Sequence, residues 1–205
     1  MAIHQLLMIL STPPSGTFEY QYDSGTSNGT TTQSPVNIYY RRNIFQTVYT
    51  AAELSANGAV SGCIFTNLIW YITGAVPSER SVRGLNIRLF HTTTDNGTVT
   101  ASPIGGESKI TVYSVSDTTD VLEFESIGDA EFGFTSPFVW NGVNNICIES
   151  CTAQNEFNWF AAGTQRVFPI ANGSRYSQDD SAGTSCSQNP SEIVNFKPSV
   201  KMDFS

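Results

Sequence analysis

The sequence predicts an all-β protein, an antiparallel β-sandwich or jelly roll with an extended N-terminal arm. Three observations lead to this prediction. Only 14% of the 205 residues are charged, against about 25% in an average soluble protein, and Ser, Thr, Asn and Gly replace the helix-forming Glu and Lys. Many short stretches alternate between apolar and polar residues, as half-buried strands do. Asn-Gly, the dipeptide favoured in tight hairpins, occurs five times.

The chain divides into an arm with a tether, residues 1–35, and a sandwich domain, residues 36–205. Residues 11–35 have the Ser, Thr, Gly and Pro content of a linker, interrupted by Phe18-Glu-Tyr-Gln-Tyr, whose alternation predicts a short strand. The arm at residues 1–10 is apolar, and we expect it to anchor the protein in a groove of a neighbouring subunit or by strand addition. The anchoring side chains are Ile3, Leu6, Leu7, Ile9 and Leu10.

Within the domain, most segments predict strands. Thr50-Ala-Ala-Glu-Leu is the exception, since its helix-forming residues suffice for a single helical turn. The apolar run from Cys63 to Ile72 predicts a long strand buried on both faces. Val121-Leu-Glu-Phe-Glu alternates as a strand does, which would place Glu123 and Glu125 on one face. Further strands are predicted to begin at Val36, Ile44, Leu85, Ile110, Phe132, Asn145, Phe157 and Val200.

Charge and hydropathy disfavour several partners. The net charge of −8 disfavours nucleic acids, which require a basic face, and anionic membrane surfaces. No stretch reaches the 18 or more apolar residues of a membrane-spanning helix, so membrane insertion is not expected. The apolar start of the chain is short and has no Lys or Arg before it, so it does not resemble a signal peptide. We therefore expect assembly in the cytoplasm.

The four cysteines do not form a zinc motif, because no C-x-x-C pair occurs and both histidines lie far away in the sequence. Cys63 lies in an apolar segment and is predicted to be a buried thiol. Cys147 and Cys151 would share one face of a strand. Cys186 lies in a polar segment, where it is either an exposed thiol or the disulfide partner of Cys151.

Ligand-binding residues are harder to identify from the sequence. Asp179 and Asp180 could ligate Ca²⁺ from a loop, but the spacing of a dedicated calcium loop is missing. No metal or other cofactor is therefore predicted, and calcium stays an alternative. Trp140 and Trp159 either pack in the core or stack on sugar rings, and with the two aspartates they form the candidate glycan-binding set.

The sequence does not predict an enzyme. Glu123 and Glu125 resemble the solvated face of a strand more than the paired carboxyls of a glycosidase, one of which needs a burial-raised pKa. His91 is the only histidine after the arm, and neither a G-x-S-x-G elbow nor a phosphate-binding loop accompanies it.

One set of segments is more specific in its order and spacing than the composition. The segments are Gln46-Thr-Val-Tyr-Thr-Ala-Ala-Glu-Leu, Gly58, Gly62, Ile64, Ile87-Arg-Leu-Phe-His-Thr, Pro137-Phe-Val-Trp-Asn-Gly-Val-Asn-Asn-Ile-Cys-Ile-Glu-Ser-Cys, Cys186 and Phe196-Lys-Pro-Ser-Val-Lys-Met. Together they resemble a β-sandwich module of surface proteins of Bacteroidota and of bacteriophage structural proteins. The match covers about residues 44–204, with Cys147 as an additional thiol and Lys197 where the module commonly has Arg.

The resemblance implies a non-catalytic display or adhesion module, with Cys151 and Cys186 at the positions of its two cysteines. Together with the arm, it predicts a virion structural protein of a bacteriophage that forms a homo-oligomer and is anchored to neighbouring subunits. Capsid decoration is favoured over a tail location, because a single domain without a long shaft is unsuited to a fibre. The alternative is a carbohydrate-binding adhesin that recognises a glycan of the host surface.

Overall fold

The computed structural model describes residues 14–23, 33–36, 38–76, 82–95, 103–153, 164–181 and 186–205. These residues form two packed antiparallel sheets, which confirms the predicted all-β sandwich. A short helix α1 (Ala51–Ala56) and a 3₁₀ turn η1 (Leu122–Phe124) interrupt the strands. The strands are β1 (Gly16–Tyr20), β2 (Arg42–Tyr49), β3 (Ile64–Gly74), β4 (Val82–Arg83), β5 (Asn86–Thr92), β6 (Ile110–Ser114), β7 (Asp120–Val121), β8 (Gly128–Val139), β9 (Asn145–Ala153), β10 (Thr164–Gln165), β11 (Val167–Asp179), β12 (Glu192–Pro198) and β13 (Val200–Phe204).

The five-stranded sheet has the order β1-β13-β3, with β8 along the other side of β3 and β10 beside its final residues. The six-stranded sheet has the order β12-β11-β2-β9-β5-β6. A two-stranded ribbon of β4 and β7 completes the described fold. All of these pairings are antiparallel, and each sheet contains neighbours that are distant in sequence, such as β13 with β3.

The core lies between the two sheets. From β3, Phe65 and Trp70 point into it, while Ile69 and Tyr71 on the opposite face are only partly buried. The prediction that this strand is buried on both faces is therefore wrong, because only one face meets the other sheet. Two described strands are buried on both faces instead: β9, all nine residues of which are buried, and its neighbour β2, which is buried from Asn43 to Tyr49. Loops of the six-stranded sheet account for this, since Ile104 packs against the outer side of β9 beside Cys147.

The sandwich includes residues that the sequence assigned to the tether. β1 pairs with β13 from Gly16 to Tyr20, and Phe18 is fully buried. Ser34 and Val36 are also buried, and the side-chain amide of Asn43 donates to the Ser34 carbonyl. The start of the sandwich therefore lies near residue 16, not at residue 36, because a polar sequence with alternating aromatics can still complete a sheet.

The sandwich has two ends, which the β2–β9 ladder connects. At the helix end, Tyr49 pairs with Ile146 next to α1; at the disulfide end, Arg42 pairs with Ala153. Seven residue steps of about 3.3 Å separate these pairs, or ~23 Å. η1 lies at the disulfide end, since Phe124 accepts a backbone hydrogen bond from Val76, just after β3.

Two local predictions were wrong. Glu123 lies in η1 and Glu125 directly follows it, so these carboxylates do not share a strand face. Five alternating residues could not distinguish a continuous strand from the end of the short strand β7 followed by a 3₁₀ turn. Asn172-Gly173 is not a hairpin turn, because it lies inside β11, where Asn172 has a φ of 51° and the register with β12 shifts. At this position, the tolerance of Asn-Gly for positive φ allows a β-bulge within the strand.

Candidate functional site

Trp140 is not available for stacking on a ligand. Its side chain is 1% exposed and belongs to the main core. Its indole N–H donates to the carbonyl of Asn144 at 2.7 Å, so the ring supports the loop between β8 and β9 from below. The prediction of Trp140 as a sugar platform is therefore wrong, because both ring faces are enclosed. Trp159 lies outside the described residues.

Asp179 binds protein groups at the disulfide end. Its carboxylate accepts two hydrogen bonds from Arg42, at 2.9 and 2.7 Å, and one from Gln188 at 2.8 Å. The backbone N–H of Ser181 donates as well. Burial alone would raise the pKa of Asp179, but these hydrogen bonds and the Arg42 charge outweigh it and lower the pKa.

This environment does not favour calcium at Asp179, because a guanidinium already neutralises the carboxylate. Asp180 accepts a longer hydrogen bond, 3.4 Å, from the Arg41 backbone. Asp179 pairs with Arg42 at the disulfide end, whereas the Trp140 N–H donates to Asn144, directly before β9 at the helix end. The ~23 Å length of the β2–β9 ladder therefore separates the aspartates from Trp140. The residues of the candidate glycan-binding set that the structure describes thus do not form one site.

The structure confirms the disulfide between Cys151 and Cys186, whose Cα atoms are 5.1 Å apart. Cys151 lies on β9 and Cys186 in the segment after β11, with β2 between those two strands, so the bond fastens this segment across the sheet. Glu149 lies within 4.8 Å of both sulfurs. The bonded sulfurs are not thiolates, the form that binds metals. Cys63 and Cys147 are buried thiols, as predicted for Cys63, and burial raises the pKa of Cys147.

A row of charged and polar side chains, most of them buried, crosses the outer face of the six-stranded sheet. Arg175, Gln46, Glu149 and Arg88 are paired neighbours on four adjacent strands. Glu149 is fully buried and receives hydrogen bonds from Arg88, from Gln46 at 2.7 Å and from Lys109 at 2.7 Å. The row forms only when four distant segments take their register, so the sequence alone gave no signal for it.

Arg175 differs from the other members of this row. Its guanidinium is fully buried, and none of its three nitrogens has a hydrogen-bond partner among the residues that the structure describes. Burial lowers the pKa of Arg175. The Glu149 carboxylate is enclosed and bound by two cations, so removing either cation would leave part of a buried charge uncompensated.

An open cavity of about 210 Å³ lies at the helix end. Its lining offers hydroxyls, amides and one carboxylate, a set suited to hydroxyl-rich or peptide ligands. Asn145 holds the cavity floor, since its side chain donates to Thr94 and Asp95, both at 2.8 Å, and accepts from the backbone of Ala51. The lining residues are Thr92, Thr93, Asp95, Val143, Asn144 and Asn145.

An apolar surface adjoins this cavity. Val60, Val139 and Val143, here called the valine patch, are 45%, 50% and 77% exposed. Two turns place them together, because the backbone N–H of Gly62 donates to Trp140 at 2.8 Å and the Ser61 hydroxyl donates to Asn141. Val143 belongs both to the valine patch and to the cavity lining, so the two features meet at this residue.

The chain enters the sandwich next to this surface. The carbonyl of Pro14 lies 3.9 Å from the Cys63 sulfur, three residues after Val60. Gly16 then pairs with Phe204 at the start of β1, where a Cβ atom would lie 2.8 Å from the Phe204 ring. Residues 1–13, with the five predicted anchoring side chains of the arm, lie outside the described residues.

No protein-family model matches this chain. Searches also found no curated protein and no solved structure that is significantly similar to it. The resemblance to the display module therefore stays a prediction, and function is argued from the geometry of the helix end and the disulfide end. Among the residues that the structure describes, no helix is long and apolar enough to cross a membrane.

Proposed function

We propose that this chain is a non-catalytic structural protein of a bacteriophage particle, with a displayed sandwich and an N-terminal arm that anchors it to a neighbouring subunit. One observation carries the proposal: an apolar arm without any acidic residue is joined, at a fixed point, to a rigid and acidic sandwich. A force on the arm would act on the pairing of the edge strand β1 with β13, which joins the start of the chain to the sandwich.

The location of the arm supports a defined orientation. The arm starts at the helix end, beside the exposed valine patch, so we assign this end to the particle side. The disulfide end would then face outward. A disulfide there suits a surface exposed to an oxidising medium after the particle leaves the cell. Capsid decoration remains our preferred location over the tail.

Deletion of the arm tests the anchoring role. We expect a chain that lacks residues 1–12 to fold, because β1 and Pro14 stay intact, but to be lost from particles purified from the producing cells. Circular dichroism would report the folding, and immunoblots of banded particles the association. Particles that retain the shortened chain at the full level would refute the anchor.

Point variants separate the apolar character of the arm from its mere presence. We expect Leu6→Ser with Leu7→Ser to reduce particle association at least tenfold, since burying each leucine contributes about 1.5–3 kcal/mol. The matched control is Gln5→Ser in the same arm, which removes no apolar surface and should leave association unchanged. Equal losses in both variants would contradict an apolar anchor.

A second candidate function, glycan binding, is favoured by the cavity at the helix end. Hydroxyl, amide and carboxylate groups around Asp95 and Asn145 could exchange hydrogen bonds with sugar hydroxyls, with Val143 against the sugar C–H groups. A glycan array, with and without Ca²⁺, tests this candidate. Hits that vanish with Asp95→Ala but persist with the exposed Asp117→Ala would favour it, and an array without hits would exclude it.

A further inference from the structure

We infer that the helix end of one copy binds the N-terminal arm of a neighbouring copy, so that the valine patch and the adjoining cavity form the groove for residues 3–10. This inference rests on the proposed function, because it names the partner of the anchoring arm. The groove is the surface formed by the turn at residues 60–63, the loop at residues 140–144 and the cavity floor at Asn145.

Apolar complementarity is the first argument. Val143 is 77% exposed, a large fraction for a valine in a rigid loop. The loop is held from below by Trp140, and the Asn141 side chain accepts from the backbone N–H groups of Val143 and Asn144, at 3.0 and 2.9 Å. A preformed apolar surface of this kind binds a partner without the cost of ordering a loop. The arm offers matching side chains at Ile3, Leu6, Leu7, Ile9 and Leu10.

Charge is the second argument. The chain has a net charge of −8, yet residues 1–13 contain no Asp or Glu, and the first acidic residue is Glu19. Two acidic sandwiches repel each other, whereas a neutral arm can approach one of them. The cavity beside Val143 contains the carboxylate of Asp95, and His4 is the one ionisable side chain in residues 1–13 that could pair with it.

The geometry of the chain favours a neighbouring copy over the arm's own sandwich. Residues 12–14 read Thr-Pro-Pro, and a residue before proline is held in an extended conformation. A stiff segment of this sequence disfavours the tight reversal that would return the arm to its own sandwich beside Pro14 and the Cys63 turn. Twelve extended residues span about 40 Å, enough to reach the helix end of an adjacent subunit.

Cross-linking between two variants of the full chain tests this inference. One carries Leu7→Cys and the other, with a tag that changes its mass, carries Val143→Cys. We expect a mixture of the two, oxidised under mild conditions, to form a disulfide-linked heterodimer, and mass spectrometry to identify the linked peptides. In the matched control, the second variant carries Leu122→Cys instead of Val143→Cys. Leu122 is 63% exposed but lies in η1 at the disulfide end.

The outcomes separate the inference from its alternatives. No heterodimer with Val143→Cys, or the same yield with Leu122→Cys, overturns it. A chain carrying both Leu7→Cys and Val143→Cys that links only to itself shows that the arm covers its own patch, which also overturns it. Because no particle is involved, this result is independent of the anchoring test: arm-dependent particle association without a heterodimer would refute only the present inference.

Sedimentation gives an independent readout. If the groove binds the arm, the full chain self-associates with rising concentration, and Val143→Asp weakens this association at least tenfold because a carboxylate enters the apolar contact. Leu122→Asp, an equal change at the other end, should leave it unchanged. A chain that stays monomeric at all accessible concentrations, or equal effects of the two variants, would overturn the inference.

Discussion

Lys197 places an ammonium group inside the sandwich. Its side chain is fully buried, and its Nζ lies 2.9 and 2.7 Å from the two carboxylate oxygens of Glu53. The rings of Tyr20 and Tyr49 lie 3.9 and 4.3 Å from the same atom. Burial lowers the pKa of Lys197 to about 8, even though the charge of Glu53 acts in the opposite direction.

This shift predicts a pH dependence of stability. In the unfolded chain, Lys197 keeps its proton up to about pH 10, whereas in the folded chain it loses the proton near pH 8. At Lys197 the unfolded state therefore binds more protons between pH 8 and 10, so this residue makes the free energy of unfolding rise with pH in that window. The buried Cys147 thiol, whose pKa is raised, acts in the opposite direction in both the natural chain and a Lys197 variant. Urea unfolding of both proteins at pH 7.0, 8.5 and 9.5 isolates the contribution of Lys197.

The variant for this comparison is Lys197→Met, which removes the titrating group, so the free energy of unfolding of the natural chain should increase relative to that of the variant between pH 8 and 9.5. Measurements should stay below pH 10, since burial raises the pKa of Tyr20 and Tyr176 to about 12. Unfolded tyrosines lose their protons first, so stability decreases again above pH 10. An identical slope between pH 8 and 9.5 in both proteins would contradict the assignment.

At the scale of elements, α1 connects three parts of the sandwich with only six residues. Thr50 and Glu53 form a reciprocal capping box, in which the Thr50 hydroxyl accepts from the Glu53 backbone and the Glu53 carboxylate accepts from the Thr50 backbone. Asn145 at the start of β9 accepts from the first helical N–H, and Lys197 in β12 binds Glu53. An isolated helix of this length would not be stable, so these contacts maintain it.

The capping box predicts a measurable loss of stability. We expect Thr50→Ala to lower the free energy of unfolding by about 1 kcal/mol, because the Glu53 N–H loses its acceptor. Ser55 is exposed in the same helix, so the control Ser55→Ala should change the free energy of unfolding by less than about 0.5 kcal/mol. Urea denaturation of both variants checks this, and equal changes would argue against a role of the cap.

The sequence predicted local features better than those that depend on register. The strand at Phe18 and the helix after Thr50 follow from side-chain patterns within a few residues. The pairing of Arg42 with Asp179 joins residues 137 positions apart, so no local pattern could show that this aspartate was already bound. The burial of Trp140 depended on the other sheet, because an indole ring fits a core and an exposed site equally well.

At the scale of the whole molecule, the disulfide is the one covalent cross-link among the described residues. It joins residues 35 positions apart and holds the segment after β11 against β9. In the chain-entropy account, closing a loop of this length stabilises the folded state by about 4 kcal/mol. The contacts of Asp179 with Arg42 and Gln188 lie at the same end and order the same segment.

We therefore predict that reduction of the disulfide causes a large loss of stability. We expect a reductant to lower the free energy of unfolding of the natural chain by about 3–4 kcal/mol. The variant Cys186→Ala should already have this lower value and should not respond to the reductant. Denaturant titrations with and without reductant measure both. An unchanged midpoint of the natural chain in the reduced state would show that the sheets alone hold this end.

The cross-link between Cys151 and Cys186 also determines what a protease can do to this protein. Any single cut between these two residues leaves two fragments that remain covalently joined and paired within the sheets. A nicked chain would migrate as one band on a non-reducing gel and as two on a reducing gel. Under the proposed display on a particle, a cut in this stretch would therefore not release either fragment from the protein.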